Sequence, residues 1–211
     1  KEEFRILWDN AYAVHDFMDS EELPNIFSFA EKKGLLDSVI AFASTSKITY
    51  AGSGIGFIAM SENNLNRFIE HYSSVTINPD KVNQARHMNF LQDFQGLKSH
   101  MKKHADIVRP KFQIVQKWLS KQNYGSWTSP TGGYFVSFNC EPGLAKEIVG
   151  LANLAGLKLT PAGSTFPYGV DPNDENIRLA PTACTNDELE QAMELFNICV
   201  TFATLKKRAS S

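Results

Sequence analysis

The chain has 211 residues, which is enough for one large domain or for a large domain and a small one. Its composition, 43% hydrophobic and 21% charged, is that of a globular protein and excludes a disordered, collagen-like or fibrous chain. The 21 basic and 23 acidic side chains nearly balance, so the overall charge gives no reason to expect nucleic acid or an acidic membrane surface as a partner.

The cysteines and the apolar runs indicate where in the cell the protein is expected. Cys140, Cys184 and Cys199 are odd in number and have no CxxC spacing, so neither a disulfide framework nor a zinc site is expected. The longest apolar runs, such as 55–60, are far too short to span a membrane. We therefore expect a soluble protein in a reducing, cytoplasmic location, with a small molecule as its partner.

The first sixty residues predict alternating strands and a helix. A short apolar run at 4–9 ends in a polar cluster, which is typical of a buried strand that ends at Asp9. Residues 23–34 have a proline near the start, helical spacing and a closing glycine, and they predict a helix. Further strands are expected at 39–43 and 56–60. This order is typical of an α/β sheet that is covered on both faces.

The middle of the chain predicts helices. Apolar residues share one helical face after residue 62, and a long amphipathic stretch covers 97–122. Pro110 is expected to kink or restart that second helix, because proline lacks the backbone N–H that the helix needs. The long helix is expected to join two structural units.

The last ninety residues predict short strands and two helices. Strands are expected at 132–138, 157–160 and 176–180, and helices at 144–155 and from residue 185 toward 205. Thr185 and Glu188, three residues apart, are typical of a capping box at the start of the final helix.

A lysine with neighbouring hydroxyl groups follows the second predicted strand. Lys47 comes directly after Ser44, Thr45 and Ser46. A lysine amine can form a Schiff base with a carbonyl when its surroundings lower its pKa, and nearby hydroxyls can hold a phosphate. The alternative is a polar turn between strands. The glycines at 52, 54 and 56 precede an apolar run rather than a helix, which disfavours a dinucleotide site.

A carboxylate and a phenol follow the first predicted strand. Asp9 and Tyr12 lie three positions apart, and in isolation Asp9 is typical of a turn or cap. Together with Lys47, however, Asp9 suits pyridoxal phosphate. That cofactor requires a lysine bonded to its aldehyde and a carboxylate that keeps its ring nitrogen protonated.

These motifs lead to a family resemblance. Asp9-x-x-Tyr12, Ser44-x-Ser46-Lys47 and the segment 176–181 together resemble the class I aminotransferases of fold type I, which use pyridoxal phosphate. Segments 44–54 and 161–169 are most similar to the bacterial aspartate aminotransferase subgroup, which is sometimes described as MocR-like. The resemblance covers nearly the whole chain.

The resemblance implies a role for each site residue. Lys47 would be the Schiff-base lysine and would move a proton between the substrate Cα and C4′ of the cofactor. Asp9 would pair with the pyridinium nitrogen, and Tyr12 with the phenolic oxygen of the ring. Ser44 would bind the cofactor phosphate, with Ser46 as a weaker candidate.

Arg178 would bind the substrate α-carboxylate through its planar guanidinium, and an ion pair at a strand edge is the alternative for this residue. One departure concerns the phosphate. Many class I enzymes place an arginine about eight residues after the lysine, whereas residues 51–56 contain no cation. Hydroxyls, backbone N–H groups or another basic residue would then meet the phosphate charge.

The implied fold is α/β and is the C-terminal part of the pyridoxal-phosphate-dependent transferase fold. Residues 1–96 would hold the last strands of the mixed sheet of the large domain, 97–123 the interdomain helix, and 124–211 a small α+β domain. The family has well over a hundred residues before the strand of Asp9, so the chain resembles a C-terminal half. Alone, it is expected to bind pyridoxal phosphate poorly and not to turn over substrate.

The implied function is transamination between an amino acid, aspartate or glutamate, and a 2-oxo acid by a homodimer. The alternative is the effector-sensing domain of a MocR/GntR-type transcription regulator, in which DNA binding would lie outside these residues. A lyase or decarboxylase of the same fold is a third possibility. No metal, membrane or nucleic-acid site is expected within this sequence.

Overall fold

The computed structural model describes residues 4–19 and 23–210. The chain forms two compact units, Lys1–Lys103 and His104–Ser211, and the division between them falls within the longest helix. Both units contain a three-stranded sheet with helices, which confirms the α/β class. No helix of the described residues is both long enough and apolar enough to cross a membrane.

The sheet of the first unit is mixed. Strand β1 (Ile6–Asp9) is parallel to β2 (Val39–Ser44), with Asp9 opposite Phe42. Strand β3 (Gly56–Met60) pairs with the other side of β2 in the antiparallel direction. Since β1 and β2 are parallel, their carboxyl ends lie at the same edge of the sheet. The predicted strands and the mixed sheet are confirmed.

Side-chain caps begin the helices of this unit. Helix α1 (Ile26–Lys32) follows Asn25, and α2 (Glu62–Val75) follows Ser61; each cap side chain accepts a backbone N–H of the first turn. A third helix, α3 (Lys81–Leu91), was not expected, because its apolar residues form no clear stripe. Asp80 caps it by accepting from the N–H of Asn83.

The longest helix, α4 (Phe94–Leu119), begins three residues before the expected start because the carboxylate of Asp93 accepts the N–H of Gly96 at 2.8 Å. The helix runs through Pro110, so the expected restart there is wrong. An interior proline costs a helix about 3 kcal/mol. Burial of apolar side chains on both sides of it, such as Val108 and Phe112, offsets that cost.

The sheet of the second unit is antiparallel throughout. Its order is β4 (Ser126–Trp127), β5 (Val136–Asn139) and β6 (Asn176–Leu179). The strand expected at 132–138 is therefore shorter and later, and β4 was not expected. Residues 157–160 form no strand. Instead, the N–H of Leu157 donates to the carbonyl of Ala152 and so closes the end of the preceding helix.

Two helices cover this sheet, α5 (Ala145–Leu154) and α6 (Asn186–Ala209). The expected capping box at the start of α6 is confirmed: the Thr185 hydroxyl accepts the N–H of Glu188, and the Glu188 carboxylate accepts the N–H of Thr185. The same bonds from Thr185 hold the pKa of Glu188 below its usual value. The ring of Phe196 is fully buried edge-on against Phe138, with centroids 5.2 Å apart, at the centre of the core.

Candidate functional site

The carboxyl ends of β1 and β2 bring together the five predicted cofactor-site residues. Asp9 ends β1 and Ser44 ends β2, while Tyr12 and Lys47 lie on the turns that follow them. The Nζ atom of Lys47 lies 5.1 Å from the centre of the Tyr12 ring. A carboxylate, a phenol and a primary amine therefore share one edge of the parallel strand pair.

Two serine hydroxyls form a pair beside the lysine. The hydroxyl of Ser44 donates to the hydroxyl of Ser46 at 3.0 Å, and the backbone N–H of Ser46 donates to Ser44 Oγ at 3.1 Å. Gly54 passes close to this pair: a Cβ placed on it would lie 2.7 Å from Ser46 Cα. Only glycine permits this approach, which explains one of the three glycines that follow the lysine.

The turn after β1 is fixed by the carboxylate of Asp9. Its Oδ1 accepts the backbone N–H of Ala11 at 3.1 Å, and the N–H of Asn10 donates to the carbonyl of Phe42 on the neighbouring strand. Asp9 therefore shows the turn role expected of an aspartate in isolation. Asp9 is also exposed at the end of β1, beside the carboxyl end of β2 that leads to Lys47.

Three histidines contact the turn that carries Lys47, and none of them is among the predicted site residues. His15, His87 and His100 lie in different elements, and each bonds to a residue between 45 and 49. The ring of His15 also packs edge-on against Tyr12, with centroids 5.2 Å apart. No spacing rule could have found this set, because it is assembled only by tertiary packing.

Arg178 lies in the second unit, whereas the other predicted site residues lie in the first. Along β6, Ile177 and Leu179 point into the core, so Arg178 projects from the opposite face. Its guanidinium carbon lies 4.6 Å from the ring centre of Phe135. This stacking holds the guanidinium plane in place.

The surroundings of Arg178 suit an anion. Its Nε is buried, and no acceptor among the described residues lies within hydrogen-bonding distance of it. Arg178 also borders a cavity of about 110 Å³, but the lining of that cavity is mostly apolar and includes Leu157, Leu159 and Met193. A buried donor without an acceptor is costly unless a ligand supplies one. A carboxylate, which accepts two parallel bonds from a guanidinium, would supply it.

Two further charged residues shape the segments around Arg178. Asp171 is buried, and its carboxylate accepts three backbone N–H groups from the loop that leads into β6. Desolvation raises the pKa of Asp171, but the N–H bonds, that of Asn176 first, outweigh it and hold the pKa below the usual value. Lys111, also buried, donates to the carbonyls of Thr182 and Cys184 just beyond the strand.

The predicted site residues of the two units carry different functional groups. Within residues 4–19 and 23–210, no group of three histidine, cysteine or acidic side chains is placed to hold a metal ion. The first unit offers a carboxylate, a phenol, an amine and a hydroxyl pair, and the second offers a stacked guanidinium. Such groups can bind anions and transfer protons.

Comparison with known proteins gives consistent matches. The sequence profile of the family described as "Aspartate amino-transferase" matches residues 1–211. The chain is 42% identical over 206 residues to a Mycolicibacterium smegmatis protein named "Putative aminotransferase", covering 95% of this chain and 48% of that one. It is 40% identical over 213 residues to the aspartate aminotransferase of Corynebacterium glutamicum, covering 99% and 49%.

The fold agrees with these matches. The crystal structure of an aspartate transaminase from Corynebacterium glutamicum superimposes with a TM-score of 0.94 at 40% identity, covering 97% of this chain and 49% of that one. The chain thus spans about half the length of the curated relatives it matches.

Proposed function

The chain belongs to the aspartate amino-transferase family, and we propose that it supplies the reactive lysine and the carboxylate-binding arginine of a pyridoxal-phosphate-dependent aminotransferase. The observation that carries the proposal is the shared strand edge. There a carboxylate, a phenol, a lysine amine and two serine hydroxyls lie around the ends of two parallel strands.

This set of groups fits pyridoxal phosphate. Asp9 offers a carboxylate for the ring nitrogen, and Tyr12 a hydroxyl for the phenolic oxygen. Lys47 offers an amine for the aldehyde. Because Ser44 already donates its proton to Ser46, the proton of the Ser46 hydroxyl remains available for a phosphate oxygen. The two serines thus supply at least one donor for the phosphate, in a chain whose residues 51–56 contain no cation.

The chemistry follows from the charges and protons of these residues. When bound, the cofactor withdraws electrons from the Cα of the attached amino acid. The Asp9 carboxylate favours the protonated ring nitrogen by its negative charge. With the cofactor bound, the Nζ of Lys47 would take the proton from Cα and return it to C4′, and Arg178 would hold the α-carboxylate. An amino acid and a 2-oxo acid are then interconverted in two half-reactions.

The substrate and the assembly are part of the same proposal. We infer aspartate or glutamate as the amino donor, and the name of the 40% identical relative from Corynebacterium glutamicum supports this choice. A homodimer is inferred from the family resemblance. In such a dimer each active site would also contain residues that this chain does not supply. The chain spans about half the length of its relatives.

The test is transamination by the full-length protein. With pyridoxal phosphate, L-aspartate and a 2-oxo acid acceptor, we expect formation of the corresponding 2-oxo acid and a double-displacement rate pattern. Lys47→Ala should abolish turnover, while Lys33→Ala, at an exposed lysine of the same unit, should leave it unchanged. Arg178→Lys should raise KM for aspartate about tenfold or more, since a lysine cannot form the two parallel bonds.

Two results would contradict the proposal. Turnover that survives Lys47→Ala would remove the lysine from the chemistry. A full-length protein that binds DNA, responds to an amino acid and shows no turnover would favour the regulator instead.

A further inference from the structure

The five-residue turn Thr45–Thr49, called here the lysine turn, is held by histidines from three separate elements. His15 follows β1, His87 lies on α3 and His100 lies on the first part of α4. Their rings bond to four of the five residues of the lysine turn. His15 and His87 are only 4% and 7% exposed, so their rings belong to the interior of the first unit.

Two of the histidines bond to backbone carbonyls of the lysine turn. The Nε2 of His15 lies 3.3 Å from the carbonyl oxygen of Lys47, and the Nε2 of His100 lies 2.7 Å from that of Ile48. A carbonyl oxygen only accepts, so both rings donate through Nε2. These bonds hold two consecutive peptide groups, the one that joins Lys47 to Ile48 and the one that joins Ile48 to Thr49.

His87 bonds to side chains at both ends of the lysine turn. Its Nδ1 lies 2.9 Å from the carbonyl oxygen of Asn83 on the same helix and therefore donates to it. In the neutral ring this leaves Nε2 as an acceptor. The hydroxyls of Thr45 and Thr49 lie 3.0 and 2.7 Å from Nε2.

Thr45 connects these contacts to the backbone of the lysine turn. Its carbonyl accepts the N–H groups of Ile48 and Thr49, each at 2.9 Å. Its hydroxyl also accepts the N–H of Ile55 at 2.8 Å. Ile55 directly precedes β3, the strand that returns to the sheet. Thr45 is 6% exposed, so removal of the ring of His87 would leave a buried hydroxyl without that partner.

We propose that His87 is the positioning residue of Lys47: it fixes the lysine turn through Thr45 and Thr49, and so sets where the amine is presented. His15 and His100 add to this support through their hydrogen bonds to the backbone carbonyls of Lys47 and Ile48. The inference deepens the proposed function and rests on it, because the position of the amine matters only if Lys47 reacts. A lysine that must reach two carbon atoms in succession requires a turn with one fixed geometry.

The test combines hydrogen exchange with substitutions in the full-length protein. His87→Leu removes both ring nitrogens, whereas His87→Gln keeps an acceptor near the position of Nε2. His71→Leu, at an exposed histidine of α2, is the matched control. Exchange of the backbone amides is followed by mass spectrometry on peptides that cover 44–56, without added cofactor.

We expect His87→Leu to accelerate exchange of the amides at Ile48, Thr49 and Ile55 by about tenfold or more, the effect of losing one to two hydrogen bonds. His87→Gln should restore exchange to within about threefold of the wild type, and His71→Leu should not change it. Unchanged exchange in His87→Leu would overturn the proposal. The proposal would also fail if these amides exchanged as fast in His87→Gln as in His87→Leu. If His87→Leu does not fold, Thr49→Val must accelerate exchange of the same amides. An unchanged exchange rate in Thr49→Val would then overturn the proposal.

A kinetic measurement separates this inference from the proposed function. In the active protein, His87→Leu should lower kcat about tenfold or more while KM for the amino acid stays within about twofold, because the lysine turn acts on proton transfer and not on substrate binding. An unchanged kcat would refute the positioning role while leaving the function intact. Failure of the function itself would appear separately, as turnover that persists in Lys47→Ala.

Discussion

Asp171 organises the loop that leads into the strand of Arg178, and Asp171→Asn tests whether that loop depends on its charge. The residue is 7% exposed. Oδ1 accepts the N–H of Asn173 at 3.1 Å, and Oδ2 accepts the N–H groups of Glu175 and Asn176, each at 2.8 Å. The third donor belongs to the first residue of β6, so the carboxylate fixes where that strand begins.

The magnitude follows from what an amide can replace. Asparagine has a single acceptor oxygen, which can serve the two donors at Oδ2 while its NH₂ group faces the third donor and loses that bond. A hydrogen bond to a charged group contributes about 1.5–3 kcal/mol and a neutral one about 0.5–1.5 kcal/mol. The lost charged bond costs about 1.5–3 kcal/mol and each of the two weakened bonds about 1 kcal/mol, which gives a loss of about 4 kcal/mol in the free energy of unfolding of the second unit. The control Asp187→Asn, at an exposed residue of the first turn of α6, should cost under about 1 kcal/mol.

The assay is urea unfolding followed by tryptophan fluorescence in a Trp8→Phe background, in which the remaining Trp118 and Trp127 both lie in the second unit. Since the folded-state pKa of Asp171 lies below its usual value, its contribution is fully present above the unfolded pKa of about 3.9. The contribution is lost as the pH falls through the folded pKa. The free energies of unfolding of the wild type and Asp171→Asn should therefore differ by a constant gap from pH 7 to 5, and this gap should narrow below pH 4. A gap under about 0.5 kcal/mol at pH 7, or one that does not narrow in acid, would refute the reasoning.

Two further predictions concern buried groups of the second unit. Lys111→Met keeps the alkyl chain but withdraws the donor from the carbonyls of Thr182 and Cys184, and should destabilise the unit to urea by about 2 kcal/mol. Lys117→Met, which removes an exposed ion pair, should change the stability to urea far less than Lys111→Met, and equal losses would contradict the role given to Lys111. Burial raises the pKa of the Cys140 thiol to about 12, so iodoacetamide at pH 8 should modify the half-buried Cys184 and spare Cys140 in the folded chain. Mass analysis showing modified Cys140 before unfolding would contradict this burial.

Local signals in the sequence predicted much of the fold and of the strand-edge cluster. The strands that end at Asp9 and Ser44 are short apolar runs bounded by polar residues, and both form as expected. The parallel pairing of these strands then explains why residues more than thirty positions apart meet at one edge. The capping box at Thr185 depends only on neighbours three residues apart, and it also forms.

The remaining features depend on packing that no local pattern encodes. The helix passes through Pro110 because burial of its flanking side chains outweighs the lost backbone bond. Residues 157–160 alternate like a strand, but the N–H of Leu157 closes a helix instead. The contacts of His87 join residues about forty positions apart, so they become visible only once the chain is folded. The assigned chemical roles of the site residues and the MocR alternative stay predictions.

The most direct test of the central claim is to locate the lysine that binds pyridoxal phosphate. The full-length protein is incubated with the cofactor, reduced with borohydride and digested, and the phosphopyridoxyl-bearing peptide is identified by mass spectrometry. We predict one labelled peptide, carrying the group on Lys47, which is retained in Lys33→Ala and lost in Lys47→Ala. A label on another lysine, or none in the wild-type protein, would contradict the assignment of Lys47 and with it the proposed aminotransferase chemistry.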